Sequence, residues 1–398
     1  MRIGEMSRYI VKHYFSKGRG ERRYGLLFLG PPGVGKSMAT EEAASEIARR
    51  LELKLIKVLV RWSPKLRKFV INTEGEHEIE EVLASADKYF IYTRFLLSTV
   101  EPSDLSGIPR SRNGITYYDP LLWAVLHSAS PGLLFLDELT WIQREDIWAV
   151  TPMIVLDKVA GLTAFHKDTL VVAAGKIPRN RPEDASTIVR MLHNPLLNRF
   201  KIIKVSPPSL EEWAEWMNER YGDEWDKRVY AFLSRFRDEG YLLKIPSTAE
   251  GLENFPTPRS WTWLALDLKE GFSSLEDICG LVGEEVGRKF DAFLKLNVDV
   301  EDLIREPKAF HRLNFDAKYV VPIMLANWIT QNQRSMAKAF PLIDEMASEK
   351  HEFLVMTCIS MKKKSLVAFL RELFAYKPLY KEVLSEIAIG IREEVSPR

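Results

Sequence analysis

Short apolar runs divide the first half of the chain into candidate strands separated by polar or helical stretches. These runs cover Tyr24–Leu29, Leu53–Val60, Tyr89–Ser98, Leu133–Leu136 and Thr169–Gly175. Apolar runs of this length, bounded by turn residues, are typical of buried strands. Residues 38–51 are rich in Ala, Glu and Arg and contain no helix breaker, which predicts a helix. Strands that alternate with helices predict an α/β fold with a doubly wound parallel sheet.

The stretch between the second and third candidate strands is less regular. Residues 65–89 are mostly polar and contain the turn-forming run Asn72–Glu76. We interpret residues 61–88 as an insertion with its own helix near Glu78–Lys88. The basic cluster Lys65–Lys68 within it favours a solvated helix face over a phosphate-contacting patch.

The second half of the chain has helical spacing. Leu210–Arg220 and Asp223–Asp238 are predicted amphipathic helices, and residues 299–398 are predicted to form about four more. The predicted domains are an α/β domain at 1–205, a helical domain at 206–297 and a helical C-terminal extension at 298–398.

Composition limits the class of protein. The chain is 46% hydrophobic and 28% charged, with a formal net charge of +1, so it has no global basic field for nucleic acid. Two cysteines give no disulfide framework, and the seven histidines show no paired metal-ligand spacing. No apolar run approaches a membrane span and no secretion signal is visible, so we expect a soluble cytoplasmic protein.

The most specific motif begins directly after the first candidate strand. It matches the phosphate-binding pattern GxxxxGK[ST] at every fixed position, through Gly30, Pro31, Pro32, Gly33, Val34, Gly35, Lys36 and Ser37. Glycines let backbone N–H groups turn onto phosphate oxygens, and a following helix adds its positive N-terminus. The motif predicts ATP or GTP as ligand, with Lys36 at the β- and γ-phosphates and Ser37 at Mg²⁺.

A second motif supplies the acidic half of the site. Asp137 and Glu138 follow the apolar run Leu133–Leu136 and lie at the predicted carboxyl end of a strand. Ligands bind at that edge of a parallel sheet. We therefore predict that Asp137 lies near Mg²⁺ and that Glu138 orients or activates the attacking water.

Together with further segments, these motifs resemble the AAA+ ATPases, and among them the MoxR-like branch with its phage-like and archaeal members. The resemblance covers roughly residues 20–270. It rests on the ordered segments 30–37, Glu101–Pro109, Leu134–Leu139, Val171–Gly175, Asn194–Phe200 and Thr257–Trp261, with a weaker match at Gly283–Phe290. It implies a P-loop NTPase sheet flanked by helices, the AAA+ core, followed by an all-helical lid and a helical C-terminal extension.

The resemblance also implies site residues. Arg199 matches the arginine finger that reaches the nucleotide of a neighbouring subunit, although alone it is equally compatible with a surface arginine. Arg259 matches the second sensing arginine, at the start of a predicted helix behind Pro258. The polar sensor of the family is displaced here, because Lys176 follows the strand and the first matching asparagine is Asn180. Either residue could take the sensor role, with Asn180 slightly favoured.

For function, the resemblance implies an ATP-hydrolysing, Mg²⁺-dependent ring, most simply a hexamer, that remodels or activates a protein client. The client implied by the family contains a von Willebrand factor A domain. The segment Asp104–Tyr118, with Arg110, Arg112, Tyr117 and Tyr118, matches loops that face the ring axis, and a plain surface loop is an equal interpretation. Two alternatives stay open: a ring motor on nucleic acid, and a nucleotide-gated binding module that hydrolyses slowly.

Overall fold

The structure is a computed structural model of the 398-residue chain that describes residues 1–16, 24–72, 76–142, 144–176, 198–246, 254–296, 298–361 and 363–387. The chain divides into two compact units, Met1–Pro207 and Pro208–Arg398. The first unit contains the sheets and the second is helical. The predicted division of the helical part into a lid and an extension at residue 298 stays a prediction.

The described strands all lie in the first unit. They are β1 (Gly25–Leu29), β2 (Lys54–Lys57), β3 (Val60–Ser63), β4 (Lys68–Asn72), β5 (Glu76–Glu78), β6 (Tyr89–Leu96), β7 (Ile108–Arg112), β8 (Ile115–Asp119), β9 (Gly132–Asp137), β10 (Val159–Ala160), β11 (Thr163–Ala164), β12 (Thr169–Gly175) and β13 (Phe200–Lys204).

Six of these strands form one parallel sheet in the order β13-β1-β12-β9-β6-β2. Strands β1, β9 and β12 are buried along their whole length, which explains why their sequences are continuous apolar runs and not alternating ones. The predicted fold class, a P-loop parallel sheet flanked by helices and followed by a helical part, is confirmed.

Helices connect and cover the strands of this sheet. The α-helices described in the first unit are α1 (Met6–Tyr14), α2 (Lys36–Arg50), α3 (Ile79–Ala84), α4 (Pro102–Ser106), α5 (Leu122–Ala129) and α6 (Glu145–Pro152). Shorter helical turns cover Ile3–Glu5, Ala86–Lys88, Leu139–Trp141 and Met153–Asp157. The predicted helix at 38–51 is confirmed as α2, which begins two residues earlier because Lys36 and Ser37 are its first residues.

The insertion predicted at residues 61–88 contains the expected helix and an unexpected sheet. Helix α3 and the turn after it occupy the predicted helical part, but β3, β4 and β5 form a three-stranded antiparallel sheet before them. Ile71 and Val82 bury into a small core beneath this sheet, while Trp62 and Phe69 pair edge to face on its exposed part. The polar composition of the insertion hid these strands.

The second unit is helical throughout its described residues. Its α-helices are α7 (Leu210–Tyr221), α8 (Arg228–Arg235), α9 (Pro258–Glu270), α10 (Leu275–Val282), α11 (Glu284–Leu294), α12 (Val300–Arg305), α13 (Phe315–Gln331), α14 (Phe340–Glu349), α15 (His351–Ile359), α16 (Lys363–Tyr376) and α17 (Leu379–Ile387). Shorter turns cover Arg237–Glu239, Pro307–Arg312 and Gln333–Ala339.

One hydrophobic core extends through this helical unit, from Leu210 in α7 to Leu384 in α17. Side-chain caps fix several helix starts, such as Ser209 before α7 and Thr257 before α9. The prediction of about four helices after residue 298 was wrong, because six are described there. Pro322 lies inside α13. In the described parts of both units, no helix has the length and apolar character required to cross a membrane.

Candidate nucleotide site

The candidate site lies at the carboxyl edge of the parallel sheet. Strands β1, β12, β9 and β6 are adjacent in that order and all run parallel, so their carboxyl ends meet at one edge. The phosphate-binding motif leaves β1 at this edge, Asp137 ends β9, and Lys176 follows β12. Strand order therefore brings together segments that are far apart in the chain, at the edge where open α/β sheets bind ligands.

The loop from Gly30 to Gly35 takes a path that side chains would obstruct. Gly33 and Gly35 have φ angles of 70° and 101°, which residues with a Cβ rarely adopt. A Cβ on Gly30 would lie 2.7 Å from the carbonyl oxygen of Val205, which is backbone and cannot move aside. The glycines of the motif are therefore required by the loop conformation before any ligand is considered.

Helix α2 begins at the end of this loop. Among the described residues, no side chain caps its N-terminus at Gly35, so backbone donors of its first turn face the loop. The ammonium group of Lys36 donates to the carbonyl oxygens of Gly30 (3.0 Å) and Pro31 (2.7 Å), which places it across the mouth of the loop. A cation and a helix N-terminus at one glycine loop are the chemistry that binds a phosphate chain.

Ser37 and Asp137 meet beneath the loop. The Ser37 hydroxyl donates to Asp137 Oδ2 at 2.7 Å, although the two residues are 100 positions apart, and Asp137 is only 6% exposed. A hydroxyl and a carboxylate are the hard oxygen ligands that Mg²⁺ prefers, and Mg²⁺ takes its other ligands from phosphates and water. Among the described residues, no cluster of three or more His, Cys, Asp or Glu could hold a metal without such help. The donor set therefore suits a Mg²⁺ ion that arrives with a phosphate chain.

Glu138 has a strained backbone. Its φ of 56° and ψ of 33° lie in the left-handed region, which costs a residue with a Cβ about 1 kcal/mol or more. Its N–H donates to Asp137 Oδ1 at 2.9 Å, and its carboxylate accepts from the Ser98 hydroxyl at 2.9 Å. This backbone conformation places the Glu138 carboxylate beside Ser98, which follows the end of the neighbouring strand β6. Ser98 is a site residue that sequence reasoning missed.

Arg94 is a second residue that sequence reasoning missed. Its Nη2 donates to Asp137 Oδ2 at 2.7 Å, and its side chain is 48% exposed. Two residues earlier on the same strand face, the Tyr92 hydroxyl is buried without a hydrogen-bond partner among the described residues. Burial raises the pKa of Tyr92, so its hydroxyl stays protonated. A charged residue within the apolar run Tyr89–Leu97 was the available signal for Arg94.

Lys176, one of the two candidates for the polar sensor, directly follows β12. The backbone N–H of Lys176 donates to Thr140 Oγ1 at 2.9 Å, and its Nζ lies 3.6 Å from the centre of the Trp141 ring. The ammonium group is thus held on an aromatic face, an attraction of about 1–2 kcal/mol in a partly desolvated place. Asn180, the favoured sensor, lies outside the described residues. The choice between the two stays a prediction.

The two arginines implied by the resemblance lie in different units. Arg199 precedes β13, is partly exposed, and its carbonyl oxygen accepts from the N–H of Gly25 at 2.9 Å. Arg259 is the second residue of α9 and its exposed guanidinium lies 6.0 Å from the Trp263 ring centre. The roles of both residues stay predictions.

The segment predicted as an axial loop is a short helix followed by a hairpin. Strands β7 and β8 pair antiparallel, joined by Asn113 and Gly114 with φ angles of 53° and 77°, as a tight two-residue turn requires. Arg110 pairs with Asp119 across the hairpin. Large side chains stand exposed on it, at Ile108, Ile115, Tyr117 and Tyr118. The segment is therefore a short helix with an antiparallel hairpin and not an irregular loop.

Comparisons with known proteins give only distant structural likeness. No protein-family model matches the chain, and no curated protein matches it. NtrX from Brucella abortus is 12% identical with a TM-score of 0.37, over 93% of this chain and 67% of that one. The FIGL-1 AAA domain in complex with ADP is 16% identical with a TM-score of 0.31, over 78% and 84%. A full-length MCM homolog from Methanopyrus kandleri is 15% identical with a TM-score of 0.27, over 73% and 54%. A likeness at these TM-scores supports no conclusion about what this chain binds or does.

Proposed function

We propose that this sheet edge binds ATP with Mg²⁺ and hydrolyses it, and that the chain is an AAA+ ATPase. The observation that carries the proposal is the 2.7 Å hydrogen bond between Ser37 and Asp137. It joins the phosphate-binding loop to the acidic strand end, and this pair has the chemistry of a Mg²⁺–phosphate site. GTP stays compatible with the same contacts, and ATP is proposed from the resemblance.

The residues of the site divide the work of phosphoryl transfer. The N–H groups of the loop and of the first turn of α2 hold the phosphate oxygens, and Lys36 turns from the carbonyls of Gly30 and Pro31 to the β- and γ-phosphates. Ser37 and Asp137 would hold Mg²⁺, which neutralises charge on the transferring phosphoryl group. Glu138 orients the attacking water and accepts its proton. Release from Ser98 makes the Glu138 carboxylate available for that task.

We propose that the site is completed by a second copy of the chain in a ring, with six subunits as in the family that the sequence resembles. In this proposal Arg199 of one subunit stabilises the γ-phosphate held by its neighbour, and Arg259 serves as the second sensing arginine that the resemblance implies. The partly exposed position of Arg199 at the start of β13 is compatible with such a role. Lys176 or Asn180 serves as the polar sensor.

We propose a protein client, in keeping with the MoxR-like resemblance, and the hairpin β7–β8 as the surface that meets it. Its exposed tyrosines offer large contact area with few rotatable bonds. A client with a von Willebrand factor A domain is the candidate from the resemblance. Alanine at both Tyr117 and Tyr118 should leave basal hydrolysis unchanged and weaken client stimulation. Full stimulation of that variant would contradict the role of the hairpin.

The test of the nucleotide site uses Asp137→Asn with Asp146→Asn as control, since Asp146 is an exposed carboxylate held by Arg144. Binding of a fluorescent ATP analogue and release of phosphate are measured with Mg²⁺ and with a chelator. We expect Mg²⁺ to strengthen binding in the wild type and the control but not in Asp137→Asn. Wild type that binds no nucleotide would overturn the proposal. Tight binding without phosphate release would favour the nucleotide-gated module.

A further inference from the structure

Arg94 stands out on strand β6 because it is the one charged residue of a strand whose other residues are apolar, aromatic or threonine. In the parallel pairing of β6 with β9, Leu96 lies opposite Asp137. Since strand side chains alternate between faces, Arg94 lies on the same face as Leu96, one position back along it. The register of these two strands therefore places the guanidinium beside the Asp137 carboxylate, and the phosphate-binding motif plays no part in this placement.

The contact with Arg94 adds a third donor to the nearly buried carboxylate of Asp137. Oδ2 of Asp137 accepts from both Arg94 Nη2 and Ser37 Oγ, each at 2.7 Å, while Oδ1 accepts from the Glu138 N–H at 2.9 Å. The Asp137 side chain is 9% exposed. A carboxylate with so little access to water requires a cation nearby, and in this arrangement Arg94 provides it.

Oδ2 of Asp137, which accepts from Ser37, is also the oxygen that would bind the metal in the proposed site. A divalent cation near Oδ2 would face the guanidinium at short range, and like charges at such a separation repel strongly away from bulk water. Arg94 can leave without disturbing the fold, because its backbone is held in the sheet and about half of its side chain is exposed. The phosphate chain of a nucleotide offers it anionic oxygens as a replacement partner.

We propose that Arg94 is a resident counter-cation of Asp137 that competes with Mg²⁺ and leaves Oδ2 when metal and nucleotide arrive together. This inference rests on the proposed function of the site. Arg94 weakens divalent-metal binding and, by stabilising Asp137 before the metal binds, keeps the empty site assembled. It is a positioning residue for Asp137, and no catalytic step passes through it.

The test measures Mn²⁺ binding in the presence of ADP, by loss of the free Mn²⁺ signal in electron paramagnetic resonance. Arg94→Met should bind Mn²⁺ about fivefold more tightly than the wild type, because a partly exposed charge pair contributes about 1 kcal/mol. Arg94→Lys keeps the charge and should stay near the wild type. Without ligand, Arg94→Met should melt about 2–4 °C lower, and this difference should shrink with saturating Mn²⁺ and ADP.

The control is Arg228→Met, which removes a similar pair in the helical unit. Arg228 lies 2.6 Å from Asp226, with side-chain exposures of 42% and 13%. This variant should lose stability and keep the wild-type affinity for Mn²⁺. Unchanged or weaker Mn²⁺ binding by Arg94→Met, beside a wild type that binds both ligands, would overturn the inference alone. Wild type that binds neither ADP nor Mn²⁺ would overturn the proposed function and this inference with it.

Discussion

Each unit of the chain contains a carboxylate that accepts from several donors, and the two carboxylates are used in different ways. In the helical unit, Glu349 accepts from Lys318 at 2.8 and 2.9 Å and from His311 at 3.2 Å, so all these donors belong to the helical unit itself. In the sheet unit, Asp137 takes its donors from Ser37, Arg94 and the Glu138 backbone, all at the open edge of the sheet.

The difference separates a structural carboxylate from the one that we propose binds a ligand. Burial alone would raise the pKa of Glu349, but hydrogen bonds from Lys318 and His311 outweigh it and lower that pKa. The Glu349 carboxylate is therefore ionised and already paired with residues of the fold. The donors of Asp137 include a half-exposed arginine and a hydroxyl of a phosphate-binding motif. We propose that this polar cluster, at the open edge of the sheet and next to a strained Glu138, exchanges its partners with a ligand.

The largest expected effect comes from removing the charge of Glu138. Glu138→Gln should lower phosphate release by about 100-fold or more, because a positioned general base contributes at least that factor. Binding of ATP should persist, since the amide keeps the size of the carboxylate and the phosphate contacts lie elsewhere. Single-turnover phosphate release and equilibrium ATP binding measure the two effects. Hydrolysis at the wild-type rate would remove Glu138 from the mechanism.

The matched change in the helical unit is Glu349→Gln. It should lower the free energy of unfolding by about 1–2 kcal/mol, because Lys318, whose side chain is 10% exposed, loses its anionic partner. Phosphate release per folded molecule should stay at the wild-type value. Urea unfolding and the hydrolysis assay check the two parts. Loss of turnover without loss of stability would break the distinction between the two carboxylates.

A pH effect of intermediate size is expected from His127 in the sheet unit. This residue is fully buried, its ring bonds only Thr93 among the described residues, through Nε2 at 3.0 Å, and burial lowers its pKa to about 3. The pKa of His127 is lower in the folded state than in the unfolded state. Its contribution to the free energy of unfolding is therefore complete above about pH 6.5 and is lost as pH falls toward 3. The loss should be about 1 kcal/mol for each unit below about pH 6. Urea unfolding of His127→Gln should show a shallower dependence; an unchanged slope would contradict the assignment.

The smallest effect is expected from His311, with the opposite sign. Hydrogen bonds to Glu345 and Glu349 raise its pKa, so its stabilising contribution is complete below about pH 6.5 and is lost as pH rises through the folded pKa. Its side chain is 42% exposed, and solvent screening keeps the contribution below about 1 kcal/mol. His311→Gln should remove this loss in urea titrations between about pH 6 and 8. A wild type that gains stability over that range through His311 would contradict the sign.

The parts of the site that local sequence determines were predictable. The loop 30–37 needs its glycines for its own backbone path, and Asp137 and Glu138 follow from where an apolar strand ends. The same holds for the fold class, because buried parallel strands are read as uninterrupted apolar runs. The positions of α2 and β12 followed from composition and periodicity alone.

The contacts that depend on register between distant strands were not predictable. Arg94 and Ser98 reach Asp137 and Glu138 because β6 pairs with β9 with Leu96 opposite Asp137, and nothing in either strand alone states that register. Likewise, the sheet β3–β5 depends on the pairing of short strands, of which only β4, with Phe69, Val70 and Ile71, carries an apolar run. The number of C-terminal helices was underestimated, in part because α14 and α15 are separated by Lys350 alone, with no proline or glycine at the boundary.

The central claim, that two copies of the chain share a hydrolytic site, is tested most directly by ATP turnover per subunit as a function of protein concentration. Wild type and Arg199→Ala are measured side by side, with Glu138→Gln as the inactive reference. We expect ATP turnover per subunit to rise with protein concentration in the wild type and to collapse in Arg199→Ala at every concentration. Turnover that is independent of concentration and indifferent to Arg199 would contradict it and leave a self-sufficient monomeric nucleotidase.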